Sequence, residues 1–303
     1  MNLNDNARKI VVEMIERRDE LNIAFVELKN GAKVVDCGIK CRGGLVAGGL
    51  FAKVCMGGLA EVKFSEKSLN GISLPFVNVR TDFPYIACVC SQKAGWKISE
   101  KGFFAIGSGP ARILAEKSCH RESSDSAVIA LETSAYPDEN ISRKISKACG
   151  IEQESLYVLV TRTASTAGSV QVSARMVETA LFKLEQLGYD VKKIESASGD
   201  APVAPVTGSD NQMMGLSNDM VIYGSRVALS AGVDIDVKKV PSSSSREYGR
   251  PFSEVFKAAG YDFYSIDQSI FAPAEFEFRN TSTGEVKRAG KINMDVIKRL
   301  VGV

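Results

Sequence analysis

Residues 103–115 read FFAIGSGPARILA. An apolar run, 103–106, meets Gly107-Ser108-Gly109-Pro110 and then the helix-prone Ala111-Arg112-Ile113-Leu114-Ala115. A strand, a glycine turn and a helix with proline in its first turn make the repeating step of an α/β fold. Working outward, strand-like runs recur at 60–64, 74–80, 127–131 and 156–161, with helix signals between several of them. Pro137-Asp138 opens one helix that Gly150 closes, and another is expected from near Ser169 to Gly188. The fold class expected is therefore mixed α/β.

Both ends of the chain fit that class. Ala7, Ile10, Val11, Met14, Ile15 and Leu21 form a helical stripe over 5–21, with Asn4 or Asp5 available as the cap. Runs 23–28 and 33–37 flank Asn30-Gly31, a hairpin turn signal. Toward the C-terminus, 275–279 and 285–288 flank a second turn, followed by a short helix over 293–300. The glycines at 43, 44, 48, 49, 57 and 58 allow close approach of a neighbouring segment or of a ligand.

At 303 residues, the chain can bury a large core without disulfides or metals. Its 38 Lys and Arg against 36 Asp and Glu leave a formal charge of +2, too balanced for a protein that coats nucleic acid or an anionic membrane. No apolar run reaches the roughly 18 residues of a membrane span, and the first twenty residues lack a basic end followed by an apolar block, so a cytoplasmic protein is expected. The seven cysteines are an odd number scattered through apolar segments, which reads as buried thiols rather than a disulfide framework; Cys88 and Cys90 would share a face of a strand. His120, the single histidine, reads as a loop residue, so neither a histidine triad nor a metal site is expected.

Three segments could carry chemistry. On the 169–187 helix, Val170, Ala174, Val177, Leu181 and Leu184 make one buried stripe, and Gln171, Arg175, Glu178 and Phe182 run beside it. Arg175 and Glu178 are neighbours at i and i+3, at the margin of the apolar face, while Lys183, Glu185 and Gln186 belong outside. That pair is either a solvated ion pair or the edge of a cleft. The Gly107-Ser108-Gly109 turn with Arg112 is either a tight turn or a phosphate site presenting backbone N–H groups; the Walker and dinucleotide spacings are absent. Residues 91–96 (SQKAGW) and 242–252 (SSSSREYGRPF) combine hydroxyls, cations and aromatics, as ordered loops that could contact a polar ligand.

Together these strings resemble the methenyltetrahydromethanopterin cyclohydrolases. The resemblance rests on VCMGGLAEV (54–62), TDFPYIAC and SQKAGW (81–96), AIGSGPAR (105–112), TASTAGSVQVSARMVETALFK (163–183), SREYGRPF (245–252), and YDFYSID with FAPA (261–274), in the family's order. The chain departs from the family in a shorter connector around 119–125 and at Gly199-Asp200-Ala201-Pro202. The resemblance implies reversible conversion of the 5,10-methenyl-tetrahydromethanopterin cation and water to the 5-formyl derivative and a proton, without metal or redox cofactor. It implies catalytic roles for Arg175 and Glu178, with Glu178 placing the water and accepting its proton and Arg175 biasing that carboxylate. Arg112 with Gly107, Ser108 and Gly109, then Lys93, then Arg246 are the candidates for meeting the phosphate and carboxylate groups of the pterin substrate's tail. It further implies two α/β domains enclosing a large substrate cleft, nominally 1–150 and 151–303, in a homotrimer. A non-catalytic pterin binder, or the same hydrolysis on methenyl-tetrahydrofolate, are the competing readings.

Overall fold

The computed structural model describes residues 1–69, 71–116, 119–262 and 265–302; Lys117, Ser118, and Phe263 and Tyr264 of the YDFYSID string lie outside the described residues. In chain order the elements begin α1 (Leu3–Glu16), α2 (Arg18–Leu21), β1 (Ala24–Glu27), β2 (Lys33–Asp36) and α3 (Leu45–Cys55). Next come β3 (Glu61–Leu69), β4 (Ile72–Thr81), a π-helix over Tyr85–Gln92, β5 (Trp96–Glu100), β6 (Phe103–Ser108), α4 (Ala111–Glu116), β7 (Ala127–Glu132) and α5 (Glu139–Cys149). Then follow β8 (Leu156–Thr161), α6 (Thr166–Ser173), α7 (Met176–Gln186), β9 (Ile194–Pro202) and α8 (Asp210–Gly224). The chain closes with β10 (Arg226–Ala231), α9 (Phe252–Ala258), β11 (Glu275–Asn280), β12 (Val286–Gly290) and α10 (Met294–Val301). The mixed α/β class is thus what the chain adopts.

Contacts divide the chain into two compact units, Met1–Ala60 with Ile86–Gln171, and Glu61–Tyr85 with Val172–Val303. This grouping differs from the nominal cut at residue 150: 61–85 goes with the second unit and 151–171 with the first. Sheet pairing is the reason, because β4 pairs with β9 and carries β3 on its other edge, and β8 is a central strand of the first sheet.

In the first unit the strand order is β1-β2-β8-β7-β6-β5, with β2, β8 and β7 parallel and the flanking pairs antiparallel. The side chains of β7 alternate between two cores, as the two-residue period of a strand requires. Val128 and Ala130 pack with Ala7, Val11 and Met14 of α1 and Phe51 and Val54 of α3. Ile129 and Leu131 pack with Leu114 of α4 and Ile141 and Ile145 of α5. Burial on both faces explains why 127–131 is a continuous apolar run. Each of these large aliphatic side chains contributes about 1.5–3 kcal/mol on leaving water. Gly48 sits where a Cβ would lie 2.8 Å from Val170 Cβ, so close packing of α3 on α6 is what that glycine serves.

The first-unit details correct three expectations. The N-terminal helix stops at Glu16, with the separate short α2 after it, and its cap is Asn2, whose side chain accepts the Asp5 N–H. Asn4 cannot cap because it is buried, donating to the Pro110 carbonyl and accepting the Val128 N–H. Residues 85–92 form a π-helix rather than a strand, so Cys88 and Cys90 do not share a strand face. Cys90 instead forms a disulfide with Cys119, where the Cα atoms are 5.4 Å apart, a separation the sequence could not reveal. Cys37, Cys41, Cys55, Cys88 and Cys149 are thiols, four of them buried as expected.

The second unit has the order β12-β11-β10-β9-β4-β3, antiparallel except for β10 beside β11. Helix α7 packs against β9 and β10, α8 against β9, and α9 and α10 against α8. Among the described residues no helix is long and apolar enough to cross a membrane.

Asp219 of α8 is 1% exposed in this unit, and one of its oxygens, Oδ1, accepts the Phe252 N–H at 2.8 Å. Burial pushes its carboxyl up to about 8, so it folds as the neutral acid at neutral pH. An unfolded chain ionises this group near pH 4. The folded pKa is the higher one, so stability falls as pH rises from about 4 through about 8 and levels off above that. Asp219→Asn is expected to gain stability relative to the parent across that window, read as melting temperature at pH 5, 7 and 9; parallel curves would show that this carboxyl does not titrate between the two states.

Candidate functional site

Helix α7 sets the geometry of the Arg175–Glu178 pair. The single helix expected from Ser169 to Gly188 is broken, with α6 ending at Ser173 and α7 starting at Met176. The Ser173 hydroxyl donates to the Pro202 carbonyl at 2.8 Å, and a Cβ on Gly199 would fall 2.8 Å from Met176 Cγ, so the helix is pinned to β9 where it restarts. Arg175 becomes the residue before the new helix, and Glu178 falls in its first turn. Unpaired N–H groups at a helix start favour a negative charge there by about 0.3–1 kcal/mol.

Arg175 Nη1 donates to Glu178 Oε2 at 2.7 Å, and the two side chains are only 15% and 14% exposed. A pair this close and this far withdrawn from water is held more firmly than a solvated surface pair. The stripe beneath it, Val170, Ala174, Val177, Leu181 and Leu184, is fully buried as expected. Gln171 does not continue the row: it is 2% exposed and donates from Nε2 to Glu132 Oε2 at 2.6 Å within the first unit. Lys183 is not on an outer face either; it is 4% exposed, and its Nζ donates to the Ser269 carbonyl at 3.0 Å. Burial lowers its pKa.

In the first unit the structure brings Lys93, Gly107, Ser108, Gly109 and Arg112 together. The Ser108 hydroxyl donates to the Gln92 carbonyl at 2.7 Å, and the Gly109 N–H to the Ser91 carbonyl at 2.8 Å. Gly109 has φ +99°, a conformation that favours glycine. Arg112 is 7% exposed, with Nη2 on both Glu116 oxygens at 3.0 and 2.9 Å and Nη1 on the Lys93 carbonyl. The turn's donors and the guanidinium are therefore engaged inside the protein, and the arginine fixes the backbone at half-buried Lys93.

In the second unit, Arg246 is exposed on the loop that precedes α9. Sequence reasoning missed what holds that loop: Tyr223 and Asp219 of α8, and Ser269, whose hydroxyl lies 3.0 Å from that of Ser245. A signal was present, since Asp219 is a lone carboxylate beside the apolar run Met220-Val221-Ile222. A trough of about 550 Å³ runs along the β3, β4, β9, β10 and β11 strands, lined by residues such as Ser65, Asn78, Arg80, Asp200 and Arg226. None of the sequence-predicted site residues lines it. Among the described residues no group of three or more His, Cys, Asp or Glu could hold a metal ion.

Comparison with known proteins places the chain. The family described as Cyclohydrolase (MCH) matches residues 2–300. Proteins named methenyltetrahydromethanopterin cyclohydrolase from Methanocaldococcus jannaschii and Methanospirillum hungatei are 45% and 43% identical over all of this chain, and over 98% and 99% of their own lengths. Another of that name, from Methanococcus maripaludis, is 47% identical over 96% of this chain and 95% of its own. With matches this complete at both the family and the individual level, the chain belongs to the methenyltetrahydromethanopterin cyclohydrolase family.

Proposed function

We propose that this chain is a cyclohydrolase that interconverts 5,10-methenyl-tetrahydromethanopterin and its 5-formyl derivative, with Glu178 and Arg175 as its catalytic pair. Family membership across residues 2–300 carries the reaction, and the withdrawn 2.7 Å pair at the start of α7 supports the assignment of residues. The bridging carbon of the substrate is an amidinium carbon, already electrophilic. Water's oxygen bonds to that carbon, the bond to N10 breaks, and the formyl group stays on N5. One water proton ends on N10 and the other is released, through Glu178 in this reading. A carboxylate next to the cationic carbon also stabilises its charge. Arg175 holds the carboxylate in one orientation through its 2.7 Å bond.

Glu178→Gln keeps the size of the side chain and removes the base. Its kcat is expected to fall about 100- to 10,000-fold, followed by loss of methenyl absorbance in the near ultraviolet. Turnover near the parent rate would remove Glu178 from the mechanism. Running methenyl-tetrahydrofolate beside the methanopterin substrate fixes which carrier is used. Because the electrophile comes with the substrate, neither a metal nor a redox cofactor is required, and dialysis against EDTA is expected to leave kcat intact. A homotrimer in the cytoplasm is part of the same reading, checked by mass in solution and by cell fractionation.

For the substrate's anionic tail, Arg246 is the exposed one of the three candidate cations, and Lys93 sits on backbone that Arg112 fixes. Arg246→Ala is expected to raise KM at least tenfold with kcat within about twofold. Arg112→Ala is expected to raise KM and to lower the melting temperature together, because Glu116 and the Lys93 carbonyl lose their partner. A raised KM at unchanged melting temperature would instead mean that the Arg112 guanidinium meets the substrate directly.

A further inference from the structure

The Arg246 loop is clamped from below by one face of α8. The Ser242 hydroxyl donates to the Ile222 carbonyl at 2.6 Å. Tyr223 Oη accepts the Gly249 N–H at 3.0 Å and donates to the Arg250 carbonyl at 2.7 Å, so one hydroxyl closes two backbone positions. Asp219 Oδ1 takes the Phe252 N–H, where α9 begins. Four backbone or side-chain groups of 242–252 thus end on Asp219, Ile222 and Tyr223, within little more than one turn of one helix, and Arg246 lies between the anchors.

The anchors are built into the core. Tyr223 is fully buried and Asp219 is 1% exposed. The Tyr223 ring packs on that of Tyr248 with centroids 5.2 Å apart, and Tyr248 Oη accepts from Asn293 Nδ2 at 3.2 Å. On the other side of Arg246, Ser245 meets Ser269, whose carbonyl is the one that Lys183 of α7 holds. Holding a loop costs backbone entropy, and the anchors offset this before any ligand arrives. A cation on such a loop loses little further freedom on meeting an anion.

We propose that Asp219 and Tyr223 are positioning residues of the cyclohydrolase, holding the 245–252 loop in the conformation in which Arg246 meets the anionic part of the substrate. The inference rests on the Arg246 contact proposed above. It assigns a function to two side chains that touch no substrate: without them Arg246 keeps its charge and loses its place.

Tyr223→Phe is the cleanest probe, since it keeps the ring packing and deletes only the hydroxyl. The experiment measures KM and kcat for methenyl-tetrahydromethanopterin in the parent, Tyr223→Phe, Arg246→Ala and the double variant. Tyr223→Phe is expected to raise KM about three- to tenfold with kcat within about twofold, and the double variant to match Arg246→Ala alone. A double variant whose KM is the product of the two single effects would overturn the proposal, because Tyr223 would then act independently of Arg246. Arg246→Ala raising KM while Tyr223→Phe leaves it unchanged would also overturn it, with the Arg246 contact standing. An unchanged KM in Arg246→Ala would sink the contact itself and the positioning role with it. Should Tyr223→Phe fold poorly, Asp219 supplies the second test. Asp219→Asn keeps the acceptor for the Phe252 N–H and is expected to hold the parent KM, whereas Asp219→Ala is expected to raise it; equal KM values in both variants would refute the role of Asp219.

Discussion

The hydroxyl of Ser173 bonds to the Pro202 carbonyl, and within three residues a new helix has begun. That bond and the bare backbone at Gly199 beneath Met176 hold the segment to β9 at the interruption, in place of the single helix over 166–187 that its apolar spacing suggests. Within that single helix Glu178 would lie in the middle, with its N–H and those around it paired to carbonyls one turn back. The break gives Glu178 a first-turn position and puts Arg175 just ahead of it, so the carboxylate is oriented by a guanidinium and by the start of a helix at once. The position of the candidate pair is in this sense set by where the chain meets strand β9.

Much of the fold was legible because its cues are local. Asn30-Gly31 between two short apolar runs gave the β1–β2 hairpin, and Asp138 with Gly150 bounded α5 to the residue. The doubly apolar run at 127–131 gave a strand, and its burial on both faces followed from its being parallel to β8. What escaped depends on segments far apart in the chain. The π-helix over Tyr85–Gln92 has no spacing signature, and Cys90 pairs with a cysteine 29 residues away. The chain's crossings between units at 60, 85 and 171 follow from sheet pairing, which no single stretch records.

The site divides along the same line. The i, i+3 relation of Arg175 and Glu178 was readable from the helix period, whereas the engagement of the Arg112 guanidinium by Glu116 and the Lys93 carbonyl emerged only in the structure. Lys183 departs from the helix pattern. Helix spacing puts it opposite the buried stripe, yet the turn at Gln268–Ile270 covers it and offers a carbonyl. Periodicity tells which residues share a face; it does not tell what the rest of the chain lays over that face.

Asp219 and Tyr223 extend this point from structure to energetics. A charged anchor under the Arg246 loop would carry a desolvation cost and a field of its own, competing with the substrate for the arginine. The groups present are a phenol and a carboxyl that burial keeps neutral below about pH 8. They satisfy backbone donors and acceptors and add no charge near Arg246 at neutral pH. The bonds from Asp219 and Tyr223 to the loop are therefore neutral hydrogen bonds, and Arg246 is exposed above them. An enzyme whose substrate brings its own electrophile needs little more from its binding loops than a few charges held in place, and neutral buried anchors provide that without weakening the charges they hold.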